Sequence, residues 1–124
     1  MDMSWTDEEL KTLAESDELT LQTSKSVIIW MVSLGERLFV RSVNGRGSRW
    51  FRNAQAQQTG RITAGKLGKE VRLLEGGQDL QPAIDAAFRA KYGRYARLIV
   101  DSTVSPQAQS ATLELIPQDK NEGA

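Results

Sequence analysis

The stretch Val27-Ile28-Ile29-Trp30-Met31-Val32 is the longest apolar run in the chain, and it constrains the architecture more than any other segment. β-Branched and aromatic residues dominate it, and neither set of alternate positions carries a polar side chain. That pattern predicts a central strand covered on both faces rather than a half-solvated one. The run is far too short to span a bilayer. With 124 residues the chain supports one domain with a real hydrophobic core and not two ordinary ones.

Other segments supply partners for that strand. Thr6-Asp7-Glu8-Glu9 reads as a capping box, with Trp5 and Leu10 spaced as a hydrophobic staple. A short helix then buries Leu10, Leu13 and Ala14 and ends near Ser16. Leu19 and Leu21 alternate with Thr20 and Gln22 as a short strand. Gly35-Glu36 turns the central strand into an antiparallel hairpin with Arg37 to Val43. A helix is predicted from Ser48 to Gln57, and a second hairpin from Arg61 to Leu74 around Gly65 to Gly68. Asp79 is placed to cap a longer helix with Pro82 in its first turn and Leu80, Ile84, Ala87, Phe88 and Tyr92 on its core face. Gly93 suits its C-terminal stop. Residues 97–100 fit strand or helix equally, and 111–116 alternate as a last strand ended by Pro117. The predicted fold is α+β: a small closed or nearly closed β-barrel of five or six mostly hairpin-connected strands with helices inserted between them. The domain is read as residues 1–117, with 118–124 as a frayed tail.

Composition removes several chemistries. The chain has no His and no Cys, so a Ser-His-Asp triad, a His-based zinc site and a disulfide framework are all excluded. No carboxylate spacing resembles an EF-hand or other metal cluster, so no metal is expected. The N-terminus lacks the basic start and apolar core of a signal peptide, which, with the absence of cysteine, leads to the expectation of a cytoplasmic protein without membrane contact. Net charge is zero, but it is unevenly spread: residues 1–18 hold seven acidic side chains and one Lys, while residues 37–72 hold nine Lys or Arg and only Glu70. Either the two regions attract each other or the basic face meets an anionic partner. Overall neutrality and the lack of a recognition motif argue against nucleic acid.

Within the basic region, Arg41-Ser42-Val43-Asn44-Gly45-Arg46-Gly47-Ser48-Arg49-Trp50-Phe51-Arg52-Asn53 reads as strand end, glycine-rich turn and first helical turn. Backbone N–H groups, a helix N-terminus and four arginines would meet there, which is how an anion site is built. At 100° per residue Trp50, Phe51 and Ala54 share one side of the helix, with Arg49, Arg52 and Asn53 opposite. Two readings of that outer face stand: a phosphate held by Arg41, Ser42, Arg49 and Arg52 through bidentate contacts, or a solvated helix face. A second cluster, Tyr92-Gly93-Arg94-Tyr95-Ala96-Arg97, places Tyr95 and Arg94 as an aromatic wall and anion hook. Tyr92 reads as core, and Asp101 is placed to pair with Arg94 or Arg97.

Two resemblances follow from these motifs. Leu38-Phe39-Val40-Arg41-Ser42, then Arg49-Trp50-Phe51-Arg52-Asn53-Ala54, then the hairpin from Arg61 to Leu74 resemble the FMN- and deazaflavin-binding split-barrel superfamily. More closely, Phe39-Val40-Arg41-Ser42-Val43-Asn44-Gly45, Ala90-Lys91-Tyr92-Gly93-Arg94-Tyr95 and Ile99-Val100-Asp101-Ser102 before Ser105-Pro106 resemble an uncharacterised bacterial domain-of-unknown-function family, number 2255, over residues 4 to 117. Both resemblances imply an α+β small split β-barrel of about six mostly antiparallel strands with two to three helices packed around it. The superfamily resemblance implies a homodimer that binds FMN, a deazaflavin or another phosphorylated small molecule. Arg41, Ser42, Arg49 and Arg52 would hold the phosphate, and Trp50 or Tyr95 would pack near the ring. If the protein is an enzyme, it would be a flavin- or deazaflavin-dependent oxidoreductase whose redox chemistry belongs to the cofactor. The alternative is a cofactor-free dimeric binding or interaction protein that keeps the barrel.

Overall fold

The computed structural model describes residues 4–118. The first three residues and all but Gln118 of the expected tail therefore lie outside the described residues. Gln118 itself donates its amide to Glu70 O at 2.8 Å.

Local signals account for the first elements. Thr6 caps α1 (Asp7–Glu15), its hydroxyl accepting from Glu9 N at 3.1 Å while the Glu9 carboxylate accepts from Thr6 N at 2.9 Å. Trp5 and Leu13 are buried, but Ala14, expected on the core face, is exposed. Two short strands follow, β1 (Leu19–Gln22) and β2 (Ser26–Ile29), then β3 (Met31–Leu34) and β4 (Arg37–Arg41), with Gly35 at φ +58° in the turn. Ser48 caps α2 (Arg49–Gln57), which leads into the hairpin of β5 (Thr59–Ala64) and β6 (Leu67–Glu75). A 3-10 turn over Gln78–Leu80 precedes α3 (Gln81–Lys91); α4 (Arg97–Thr103), the one-turn α5 (Pro106–Gln109) and β7 (Thr112–Pro117) complete the chain. Residues 97–100 are thus helical. Leu80 rather than Asp79 occupies the cap position of α3, without a side-chain bond, because the 3-10 turn already supplies its entry.

All strand pairs are antiparallel, in the order β2-β1-β5-β6-β7-β4-β3. The two edge strands, β2 and β3, are separated in sequence by Trp30 alone. The sheet therefore curls until its first and last strands come together, giving a small barrel-like α+β domain of seven strands among the described residues. This corrects the expectation for Val27–Val32, which is not one central strand but two edge strands meeting at Trp30. Ile29 and Met31 point into the barrel, whereas Trp30 and Val32 lie on the outer face beneath α3. Ile28 shares that outer face beyond the reach of α3 and is 61 % exposed.

Two apolar clusters result. The barrel interior packs Leu19, Leu21, Ile62, Val71, Leu73, Leu113 and Leu115, and is filled from the side by Phe51 and Ala54 of α2 and Leu13 of α1. The second cluster lies outside the barrel, where Ile84, Phe88 and Tyr92 of α3 cover Val32 and Phe39. Each fully buried side chain of this size contributes about 1.5–3 kcal/mol relative to exposure. No helix among the described residues is long and apolar enough to cross a membrane.

Candidate functional site

The residues singled out between Arg41 and Asn53 do not converge on one spot. Arg41 follows Phe39 on the outer face of β4, so its side chain runs under α3 rather than toward α2. Its guanidinium has no exposed surface and donates from Nε to Thr112 Oγ1 (3.1 Å), from Nη1 to Asp85 Oδ1 (2.6 Å) and Thr103 O (2.9 Å), and from Nη2 to Gln81 Oε1. Burial pushes this guanidinium below its ordinary value, and the Asp85 carboxylate opposes the shift. Gln109 extends the network by donating to Asp85 Oδ2 at 2.8 Å. Arg41 thus ties β4 to α3, α4 and β7, and four of its five N–H donors are committed before any ligand arrives.

Ser42 is also buried and shares a 2.7 Å hydrogen bond with Ser48, the cap of α2. Arg46 forms a two-pronged ion pair with Glu75 at 2.7 and 2.9 Å, donates to Ser110 O and lies over the Phe51 ring. Gly45 is needed for two reasons unrelated to an anion. Its φ is +83°, and a Cβ there would stand 2.6 Å from Gln107 Cγ on α5. What remains of the expected phosphate group is Arg49 and Arg52, both exposed on the outer face of α2 with Asn53 and without an ion pair among the described residues. The helical-wheel division of α2 therefore holds: Phe51 and Ala54 are buried, Trp50 is half-buried, and the arginines face solvent.

A different concavity lies beside Trp50. A cleft of about 370 Å³ opens between β2, the start of α2 and α4. Trp30 and Trp50 line it with Ile28 and Ile99, and Asn44 and Ser102 add polar groups. Its two ionisable lining residues are the already paired Arg41 and Glu18. A volume of this size suits a small-molecule site. Tyr95 stands behind Trp30, not in the cleft: the rings lie 5.0 Å apart and tilted, and Trp30 is stacked on Tyr92 at 3.9 Å and 3°. The rings of Tyr92 and Tyr95 thereby hold the Trp30 plane. Its signal in the sequence was an indole interrupting an aliphatic run, which reads first as core.

These observations give a split answer for an FMN-type group. The cleft has the size and the aromatic walls for a ring system. The phosphate cradle expected from Arg41 and Ser42 is closed, leaving Arg49, the residue next to Trp50, and Arg52 as the free cations of α2. Among the described residues no group of three carboxylate, His or Cys side chains is placed to hold a metal ion.

The second cluster is structural in a different way. Tyr92, fully buried as its stripe implied, accepts from Met31 N at 3.1 Å, with Asp17 O at 2.8 Å and Met31 O at 3.0 Å as alternative acceptors for its proton. Arg94 pairs with Asp17 and covers the Tyr95 ring, and Asp101 pairs with Arg89 at 3.0 Å, not with Arg94 or Arg97. The Arg94 hydrogen bond holds the exposed Asp17 carboxyl below its usual range. Beside them, Lys91 Nζ donates to Leu13 O (3.1 Å) and Met31 O (2.9 Å). The long-range attraction between acidic N-terminus and basic middle is realised by Glu9 and Lys69 at 3.2 Å.

A family model described as "Uncharacterized protein conserved in bacteria (DUF2255)" matches residues 5–115. Among solved structures, the chain is similar to the crystal structure of a conserved hypothetical protein, Rv2991, from Mycobacterium tuberculosis. The TM-score is 0.59 at 13 % identity, over 93 % of this chain and 81 % of that one, a likeness of fold alone. No curated protein matches the chain.

Two outcomes are expected from this geometry. Asp85→Ala leaves the enclosed Arg41 charge without its carboxylate. It should cost about 2–4 kcal/mol, somewhat under the range for fully buried pairs because Asp85 is partly exposed. The measurement is the urea midpoint at unchanged m-value, and a double Arg41→Met, Asp85→Leu variant should regain most of the loss. The second outcome concerns alkaline pH. Burial pushes Lys91 down to about 8, so between pH 8 and its ordinary 10.5 the unfolded chain holds more protons and stability rises with pH. Tyr92 is pushed above its ordinary 10.0 by burial, so above that pH the unfolded chain loses its proton first and stability falls. Denaturation across this range should show a gain of about 1 kcal/mol up to pH 10 that Lys91→Met abolishes, discounted from full linkage because the amine is only partly buried.

Proposed function

The chain belongs to the uncharacterised bacterial family DUF2255, and we propose that it binds a planar, ring-bearing small molecule in the cleft between Trp30 and Trp50. The observation that carries this reading is the pairing of two half-buried indoles with Ile28 and Ile99 around one 370 Å³ space. Offset stacking and apolar contact supply affinity there, about 0.5–1.5 kcal/mol per aromatic pair beyond the area removed from water. Asn44 and Ser102 offer hydrogen bonds that fix orientation. A phosphorylated ligand, FMN or a deazaflavin among them, would extend its anionic arm past Trp50 to Arg49, with Arg52 farther around the helix. Arg41 and Ser42 then act as support: they hold β4 and the start of α2 in place. Tyr95 acts likewise, by backing Trp30. When such a cofactor is bound, hydride or electron transfer is its own chemistry.

Tryptophan fluorescence tests this directly, because two of the chain's three Trp residues line the cleft. Titration with FMN, riboflavin and a deazaflavin should give saturable quenching. Trp50→Ala should weaken binding of each ligand about tenfold or more. Arg49→Ala should weaken FMN by about two- to fivefold and leave riboflavin unchanged, the scale of one exposed charge. Quenching that does not saturate with any of the three, or affinity untouched in Trp50→Ala, would remove the reading.

A second reading is favoured by the exposure around the same cleft, where Ile28 is 61 %, Leu98 81 % and Ile99 51 % exposed. In a cofactor-free protein these side chains would pack against a second copy. Light scattering would then report a dimer that Ile28→Lys converts to monomer, with a flat flavin titration in both proteins. A monomeric parent chain would dispose of it.

A further inference from the structure

The groove between α1 and α3 holds an amine that the cleft does not use. About 340 Å³ in volume, it is walled by Ala14, Val32, Ala87 and Ala90, with Ser33 as a polar neighbour and Lys91 as its single charged lining residue. Lys91 has no carboxylate in contact. Its two hydrogen bonds go to backbone carbonyls, Leu13 O at 3.1 Å and Met31 O at 2.9 Å, and its Nζ lies 5.3 Å from the Tyr92 ring centre. An ammonium carries three N–H donors and a neutral amine two. Two acceptors satisfy the neutral amine in full and leave its lone pair as the remaining tetrahedral direction. The charged groups that act on Lys91, Asp17 and Arg94, are paired with each other and act in opposite directions.

We propose that Lys91 is a reactive amine that takes a small, apolar aldehyde or ketone as an imine in the groove between α1 and α3. The Nζ lone pair forms a bond to the carbonyl carbon, the C=O π pair moves to oxygen, and that oxygen takes a proton. The carbinolamine then expels the hydroxyl as water after a second protonation. Nitrogen has meanwhile released one proton, so the balance is amine plus carbonyl plus one proton giving a protonated imine and water. The small side chains of the wall set the class of ligand, since they offer room and no charge to a substituent. Burial, which holds Lys91 near 8, keeps a far larger fraction of it neutral at physiological pH than an exposed lysine has. Lower basicity takes back part of that advantage, leaving about tenfold if amines follow the dependence seen for thiols.

The test is reductive labelling of the intact chain with propanal and cyanoborohydride at about pH 7, followed by peptide mass mapping. Lys91 should be alkylated about tenfold faster than the exposed Lys11, Lys25 and Lys66. The advantage should vanish in denaturant, where all four become ordinary amines. Labelling of Lys91 no faster than the other three, or a preference that survives unfolding, would overturn the proposal. Because the readout is a ratio within one folded chain, it needs no variant and does not depend on the flavin titration.

Discussion

Because residues 26–34 serve both edges of one sheet, the rest of the molecule has to arrange itself around a closed curve. Ser26–Ile29 pairs with β1, and after Trp30 alone Met31–Leu34 pairs with β4 at the far end of the strand order. A flat sheet of seven strands cannot meet that condition, since neighbouring strands lie nearly 5 Å apart and the two edges would be separated by several times that distance. Closure creates an inside, which Phe51 and Leu13 complete, and an outside, which α3 covers over β3 and β4 only. The same closure is imperfect where β2 leaves β3, and the candidate cleft is lined by Val27 to Trp30 along that seam.

The basic region shows how charge in a sequence is redistributed by a fold. Arg41, Arg46, Arg49 and Arg52 lie within twelve positions of one another, yet they meet three environments. Arg41 is enclosed and paired, Arg46 clamps Glu75 across the surface, and Arg49 and Arg52 stand in solvent. The enclosed arginine is a costly choice that only a full set of partners makes tolerable. Asp85, Gln81, Thr103 and Thr112 provide that set from α3, α4 and β7, and no buried side-chain nitrogen or oxygen among the described residues is left without a partner. An anion site requires the opposite condition, donors held in place but unspent.

Much of the architecture was legible from short-range signals. The Thr6 capping box, the Gly35 and Gly65 turns, the faces of α2 and the stripe through Ile84, Phe88 and Tyr92 all depend on residues a few positions apart. The reading of Val27–Val32 as a central strand missed because apolarity on both faces has two sources: the barrel interior covers one face along the whole run, while α3 covers the other only from Trp30 onward. Nothing within the run marks that change of cover. Trp30 and Ile99 were missed as cleft residues for the same reason, since an apolar side chain beside a ligand and one in a core look alike along the chain.

By itself, then, the sequence determined where the first three helices and the two glycine-turn hairpins lie, which faces of the second and third helices are buried, and that His- and Cys-dependent chemistry is closed to this protein. Those properties are local or compositional, set by capping, periodicity and the presence of functional groups. Tertiary structure decided which cations are spent and which are free, where two indoles meet, and that Lys91 faces carbonyls instead of a carboxylate. Each of these depends on partners about twenty to eighty positions away, brought together by the curl of the sheet, and no pattern over a few residues encodes such a meeting.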